Sequence, residues 1–421
     1  MKILVVGNGG REHAIIHKLL ESKNVSKIYC ASGNGGISDE AELVPIKPTD
    51  IPALVSFALR KEIDYTVVGM DDPLVLGIVD AFESVGLKAF GPMQKAAMIE
   101  GSKSFAKNLM KKYGIPTAGY EVFSDYEKAV QYVKLQEMPI VIKADGLALG
   151  KGVLICNTLD EAISALKLIM LYKKFGDAGK SVVIEEFLTG PEVSVLSFCD
   201  GETVVPMVSA QDHKRAFDND KGLNTGGMGT FSPSRIYTPE IAEECMKSIF
   251  IPTVKAMEKE GRPFKGVLYF GLMLTKDGMK VIEYNARFGD PETQVVLPRL
   301  KTDLLDIMLA CTNGMLDKLS IEWYDNAAVC VVLASGGYPE SYEKGFVISG
   351  IDKANEVDGI KVYHAGTALK DGNFVTNGGR VLGVTGVDEN LDLAIKKAYE
   401  GVSKISFKDM HFRHDIGIKK Y

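Results

Sequence analysis

Several protein classes are excluded by what this sequence lacks. It has one tryptophan and six cysteines in 421 residues, and Cys30, Cys156, Cys199, Cys245, Cys311 and Cys330 are scattered singly. No two have metal-ligand spacing, and several lie in apolar runs, so reduced, buried thiols in a cytoplasmic protein are expected. Basic residues are not in excess: 49 Lys and Arg stand against 55 Asp and Glu, a net charge of −6, which gives no support for a nucleic-acid partner. No uninterrupted apolar run is long enough to span a bilayer, and the N-terminal one is too short and glycine-broken for a secretion signal, so no membrane is expected. Repeats and low-complexity linkers are missing too. Glycine, by contrast, is plentiful at 43 residues, pointing to many hairpin or ligand-facing turns. The length exceeds a single hydrophobic core and predicts two to four domains.

Residues 1 to about 100 alternate apolar strands ("KILVVG", "KIYCAS", "DYTVVG", "LKAFG") with helical stretches ("DIPALVSFALRKE", "LVLGIVDAFESVG"). This is the pattern of a doubly wound parallel sheet, which binds ligands at the carboxyl ends of its strands. Three loops fall there: Gly7–Arg11, 31–36 and 69–73. The first resembles a dinucleotide turn, but Glu12 stands where the third glycine belongs. Arg11 suggests instead a forked donor for a terminal phosphate; a structural turn without a ligand is equally compatible with this stretch.

A single helix is read over "KAAMIEGSKSFAKNLMKKYG", ending at Gly114. "PIVIKADGLALGKGV" then reads strand, glycine-rich turn, strand. Its glycines join strand to strand, so it is no Walker loop; it suits a lid over nucleotide phosphates, with Lys143 in the strand and Lys151 on the turn. "VVIEEFLTGPE" ends an apolar strand with backbone groups suited to an adenine edge, and Glu192 suits ribose hydroxyls. Residues 191–325 mix antiparallel strands with helices over 238–260 and 298–313, and from about 327 short strands close on one helix near 390–404.

The densest chemistry is "KVIEYNARFGDPETQ". Glu283 and Asn285, two apart on a strand, share one face and offer two hard oxygens for Mg²⁺. Arg287 continues that face and suits charge developing on a transferring phosphoryl group. In "SAQDHKRAFDNDKGLNTGGMGTFSP", Asp212 suits an ammonium and the loop Thr225–Gly226–Gly227 an anion, while His213 reads as a surface histidine. There is no Ser–His pair and no recognisable cysteine nucleophile.

Taken in order, "GNGGREH", "GSKSFAK", "IVIKADGLALGKGV", "IEEFL", "QDHKR", "NTGGMG" and "RFGDPETQ", with "VVLASGGYP" and "TNGGRVLGVTG" beyond, resemble the phosphoribosylamine–glycine ligase (glycinamide ribonucleotide synthetase) family of ATP-grasp enzymes, end to end. The resemblance implies an α/β (α+β overall) ATP-grasp fold in four parts: an N-terminal nucleotide-fold domain (1–103), a lid lobe with its connecting helix (104–190), a catalytic lobe (191–325) and a β-rich cap (326–421). It implies ATP-dependent joining of glycine to 5-phosphoribosylamine, giving glycinamide ribonucleotide, ADP and phosphate through glycyl phosphate, the second step of purine synthesis. ATP contacts would be Lys103, Lys143, Gly150, Lys151, Gly152, Glu185, Glu186, Leu188 and Glu192. Glu283 and Asn285 would hold Mg²⁺, or Mn²⁺ in its place. Gly9, Gly10, Arg11, Asn34, Asp71, Thr225, Gly226 and Gly227 would serve phosphoribosylamine and glycine, with Arg287, Asp290, Asp212 and Lys214 as catalytic residues. A monomer acting on small molecules alone is expected. On this reading the opening turn holds the sugar 5-phosphate, not NAD. The chain departs from its relatives at two points. Gly271 stands where many ATP-grasp enzymes place a further metal-facing carboxylate, although glycine is usual in this ligase. "GMDDP" puts Asp71 where the ligase commonly has glutamate. Rival readings are another ATP-grasp ligase, which should lack "RFGDPETQ", and a non-catalytic nucleotide-binding module.

Overall fold

The computed structural model describes residues 1–148 and 152–418. The first apolar runs form a parallel five-stranded sheet, β1 (Lys2–Gly7), β2 (Lys27–Ser32), β3 (Glu42–Val44), β4 (Tyr65–Val68) and β5 (Ala89–Phe90), in the order β3-β2-β1-β4-β5. Ile3 to Val6 are fully buried, as a strand covered on both faces requires. The order reverses beside β1, so its carboxyl end opens on the crevice where such sheets hold ligands.

Two helices predicted as single are each split in two. Ser102 is extended (φ −141, ψ 112) and its Oγ caps the second helix by accepting from the Phe105 amide, dividing Gln94–Gly101 from Lys103–Tyr113. Gly77, in the left-handed region at φ +87, separates Asp71–Val75 from Ile78–Glu83. The helix read over 298–313 begins at Leu304, where the Asp303 side chain caps it; Leu297–Arg299 is a separate turn. The 238–260 helix forms as Pro239–Lys259 with one π turn at Met246–Phe250.

The segment expected to form a lid carries an antiparallel sheet of β6 (Tyr120–Phe123), β7 (Ile140–Ala144), β8 (Val153–Cys156) and β9 (Val182–Glu186), ordered β6-β9-β7-β8. The central sheet joins β10 (Glu192–Asp200), β11 (Val204–Pro206), β16 (Lys265–Thr275) and β17 (Gly278–Asn285) in the order β11-β10-β16-β17. A third antiparallel sheet crosses the chain. It pairs β12 (Gln211–Asp212) and β15 (Gly229–Ser232) with β18 (Ala327–Ala334), β22 (Arg380–Asp388) and β19 (Ile360–His364). The segment around Asp212 is thereby built into the C-terminal sheet. Two ribbons, β13 (Arg215–Phe217) with β14 (Lys221–Asn224) and β20 (Thr367–Lys370) with β21 (Asn373–Thr376), complete the strands among the described residues.

The N-terminal and central sheets share apolar cores. Val67 and Phe90 pack in one cluster with Phe198, Tyr269, Phe288 and the helix Leu304–Asn313. All six cysteines are buried and unpaired, as expected.

Candidate active site

Two adjoining cavities lie where the four sheets meet. The smaller, about 370 Å³, sits at the carboxyl end of β1. The glycine turn forms its floor because Glu12 folds beneath it. Glu12 Oε2 accepts from the Gly9 amide at 2.6 Å, and Oε1 pairs with Arg11 Nε at 2.6 Å. A Cβ on Gly7 would lie 2.4 Å from the Glu12 side chain, so glycine is required there for space as well as for its φ of +144. Glu12 thus fills the volume where a dinucleotide turn keeps a small residue. Arg11 Nη1 donates to the Phe288 carbonyl at 3.2 Å, which aims the guanidinium across the cavity mouth.

Gly9, Arg11 and Asn34 border this cavity; Gly10 does not. Gly10 permits close packing, since a Cβ there would lie 2.7 Å from Gln294 Nε2. The Asn34 amide is spent internally: it donates to the carbonyls of Asn8 and His364 and accepts from the amides of Gly36 and Ile37. The far wall is C-terminal and had no predicted role: Tyr338, Ala365–Thr367, Asn377, Gly378 and Arg380.

The larger cavity, about 550 Å³, runs between the lid and central sheets. Lys103, Lys143, Gly152, Glu185, Glu186, Leu188 and Glu192 all border it; Gly150 and Lys151 lie outside the described residues. Glu185 is buried between two lysines, with Lys107 and Lys143 each at 2.9 Å. Its carboxylate therefore orients lysines. Burial lowers the Lys107 pKa to about 8 despite that carboxylate. Lys143 Nζ also donates to the Ile282 carbonyl (3.2 Å) and Lys103 Nζ to that of Gly146 (3.0 Å). Glu186 is exposed and accepts from the Gly119 amide at 3.0 Å. Ile99, Met110, Val141, Ile155 and Met273 make one side of the cavity apolar.

Glu283 and Asn285 border the same space from β17. Gly271 lies opposite Glu283 in the β16–β17 pairing, and a Cβ there would approach Glu283 Cγ to 3.0 Å; the glycine gives the carboxylate room. Among the described residues no group of three or more His, Cys, Asp or Glu could hold a metal. Two protein oxygens remain, a donor set that fits a hard cation completed by phosphate and water. Lys214 Nζ lies 3.6 Å from both Glu192 and Glu283. Burial opposes its charge, but these two carboxylates overcome it and hold its pKa well above the usual lysine value.

Arg287 Nη2 reaches Asn285 Oδ1 and Glu100 Oε1, both at 3.0 Å, and Glu100 also accepts from the Ala286 amide. Burial, helped by Asp71 and opposed by Arg287, raises the Glu100 carboxyl to about 7. Burial would raise Asp71 too, but Arg287 and Arg11 hold it below the usual range. Asp212 is pushed well up by burial and by neighbouring Glu292, whose Oε1 accepts from Ser194 and Tyr269 hydroxyls. Two carboxylates facing one space suit a cation. The Thr225 hydroxyl donates to the Lys214 carbonyl and accepts from the Gly227 amide, fixing this loop; Thr225 and Gly226 border the cavity, and Gly227 packs behind against Asp212. Asp290 borders both cavities.

One expectation is corrected: His213 is buried, not on the surface. Its main chain bonds Gly229 and Met228 between strands, its ring accepts from the Gly417 amide, and burial lowers its pKa to about 4. Sequence reasoning also missed Glu100, Lys107, Tyr269, Glu292, Tyr338 and Arg380. Lys107, Glu292, Tyr338 and Arg380 lie within the recognised motifs, but only their position in the fold gives them a role.

Comparison with known proteins covers nearly the whole chain. The phosphoribosylglycinamide synthetase N domain matches residues 1–100, its ATP-grasp (A) domain 101–293 and its C domain 328–419. The phosphoribosylamine–glycine ligase of Caldanaerobacter subterraneus subsp. tengcongensis is 52% identical over 416 residues, 99% of each chain. That of Vibrio parahaemolyticus is 50% identical over 422 residues, 100% of this chain and 98% of its own. The crystal structure of the Thermotoga maritima phosphoribosylamine–glycine ligase superposes with a TM-score of 0.85 at 36% identity, covering 99% of this chain and 100% of that one. The biotin carboxylase domain of Hydrogenobacter thermophilus 2-oxoglutarate carboxylase, solved with MgADP, ADP and bicarbonate, shares the fold (TM-score 0.75, 17% identity, 98% and 91% covered).

Proposed function

The chain belongs to the phosphoribosylamine–glycine ligase family, ATP-grasp ligases of purine biosynthesis, and from that premise we propose that its two cavities divide the substrates between them. The sugar 5-phosphate sits at the Gly9–Arg11 turn, where the Arg11 guanidinium borders the cavity and favours an anion. ATP takes the larger cavity, its adenine against the apolar side near Leu188, its ribose at Glu192, its phosphates at Lys103 and Lys143. The observation that carries this reading is the junction. Arg11, Asp290, Tyr338 and Arg380 border both cavities, so an amine held in one can reach an acyl group formed in the other. Gly150 and Lys151, outside the described residues, would add to the phosphate contacts. The family resemblance implies a cytoplasmic monomer. Among the described residues no helix is long and apolar enough to cross a membrane.

Glu283 and Asn285 would hold Mg²⁺, or Mn²⁺ in its place. Bound there, the ion would neutralise phosphate oxygens. A carboxylate cannot expel oxide near neutral pH, so glycine must first gain a leaving group. Its carboxylate oxygen attacks the γ-phosphorus, the bond to the β-phosphate oxygen breaks, and ADP leaves glycyl phosphate behind. The amine nitrogen then attacks the acyl carbon, the C–O bond to phosphorus breaks, phosphate departs and the nitrogen loses a proton. Arg287, locked between Asn285 and Glu100, faces the charge that develops on the acyl phosphate. Asp212, with Glu292 beside it, holds the glycine ammonium, and Lys214 bridges the ribose and metal carboxylates.

The test is isotopic. Glycine labelled with ¹⁸O in its carboxylate should pass one labelled oxygen per turnover into inorganic phosphate. Unlabelled phosphate, or AMP with pyrophosphate, would exclude the acyl-phosphate route.

A further inference from the structure

Arg380 is the first residue of β22, separated by one residue from the Asn377–Gly378 wall of the sugar cavity. Its Nη1 donates to two carbonyls from separate loops, Gly226 at 2.7 Å and Asp290 at 2.8 Å, and its Nη2 lies 3.4 Å from the Asp290 carboxylate. Tyr338, from the loop after β18, adds a second hold by accepting from the Gly226 amide at 3.1 Å. Both loops carry groups of the acyl side. Gly227 packs so tightly on Asp212 that a Cβ would fall 2.8 Å from Asp212 Oδ1. Asp290 stands between Arg287 and Glu292 in the chain.

We propose that Arg380 is a positioning residue that couples the sugar cavity to acyl transfer, by holding the 225–227 loop and Asp290 in one arrangement from within the wall that phosphoribosylamine meets. The proposal rests on the division of substrates given above. The guanidinium is planar with donors in fixed directions, so while Nη1 meets both carbonyls Nη2 is held towards the Asp290 carboxylate; an ammonium could reach two of these oxygens but has no second nitrogen to fix the third. Any ligand against Arg380 acts on the same group that aligns the acyl side, and such linkage is reciprocal. When the alignment fails, water replaces the amine. Its oxygen attacks the acyl carbon of glycyl phosphate, the C–O bond to phosphorus breaks, and glycine, phosphate and a proton are released with no ribonucleotide.

The experiment measures glycinamide ribonucleotide formed per ADP released, with glycine, ATP–Mg²⁺ and phosphoribosylamine present, for wild type, Arg380→Lys and Tyr338→Phe. Wild type should give a ratio of one. Arg380→Lys should lower the ratio while glycine-dependent ADP release continues. It should also raise KM for phosphoribosylamine by about tenfold or more, the usual scale for losing hydrogen bonds to a charged group, with KM for ATP little changed. Tyr338→Phe, which deletes one hydroxyl and should fold normally, should shift the ratio in the same direction by less. A ratio that stays at one in both variants, with all rates falling together, would make Arg380 merely structural and overturn the proposal. A wild type that makes no ribonucleotide, or an Arg11→Ala variant that loses ATP affinity selectively, would sink the substrate division instead.

Discussion

The two lysines around Glu185 allow a quantitative test of what the buried carboxylate does. Glu185 is 4% exposed and the Lys107 and Lys143 side chains 3% and 5%, so water cannot replace the partner that Glu185→Gln removes. The substitution keeps volume and leaves two ammonium groups buried without it. Breaking a buried pair in this way costs about 3–5 kcal/mol. The loss should be local, because β9 carries Glu185 and pairs with β7, which carries Lys143. Native-state hydrogen exchange of the amides of Ile140–Ala144 and Val182–Glu186 reads that unit directly. At one decade per 1.4 kcal/mol, protection should fall by roughly two to three and a half orders of magnitude. Protection within about threefold of wild type, a loss under about 0.7 kcal/mol, would refute the assignment of Glu185 as the lysine holder.

The pH dependence gives a second constraint. Burial already depresses folded Lys107 to about 8, below its unfolded value, with Glu185 opposing the shift. Between the folded and unfolded pKa values the unfolded chain binds more protons, so this lysine makes stability rise with pH from about 8 towards its unfolded pKa of about 10.4. Without Glu185 the folded pKa drops further and the window widens downwards. The variant's deficit, compared with wild type at equal pH, should therefore shrink as pH rises towards about 8 and change little above it, where Lys107 is already neutral in both folded proteins. A deficit independent of pH would mean that strain, not unpaired charge, destabilises the variant.

Three further outcomes follow from the geometry. Arg11→Ala should raise KM for phosphoribosylamine about tenfold or more while leaving KM for ATP near its starting value, read from initial rates. Glu283→Gln should cut kcat by at least about a hundredfold, the scale for losing one electrostatic stabiliser, with an unchanged thermal melt; near-normal turnover at ordinary Mg²⁺ would remove it from the metal shell. Gly271→Ala should raise the Mg²⁺ concentration for half-maximal rate, because the new methyl meets Glu283 Cγ at 3.0 Å; an unchanged Mg²⁺ requirement would show that the carboxylate does not depend on that space.

Local pattern made the N-terminal domain readable. Strands buried on both faces appear as unbroken apolar runs, and all four predicted there are found, whereas the short β3 carries too few apolar residues to stand out. The two helix splits share one cause. Apolar spacing continues across Gly77 and Ser102, so periodicity reads on, but a left-handed glycine or an extended serine cap ends the hydrogen-bond ladder within a single residue. The C-terminal sheet was legible only in part, since β12 and β15 join it from more than 90 residues upstream, a pairing that no local window contains.

The same distinction separates the site residues that could be read from those that could not. Glu283 and Asn285 declare themselves because strand periodicity puts them on one face; Arg287 lies just past the strand's end at Asn285 but turns back to meet it. Glu100 carries no such mark: it lies in the last turn of a helix whose sequence looks structural, and it matters only because the fold brings it to Ala286 and Arg287. Arg380 is the extreme case. It follows two glycines in a strand that belongs wholly to the C-terminal sheet, yet its guanidinium spans loops 154 and 90 residues away in sequence. A residue that acts by closing the distance between segments has no signature in either segment. Thus the groups proposed to meet phosphate and metal were visible as motifs, while those that hold them against one another emerge only from the packing of the sheets.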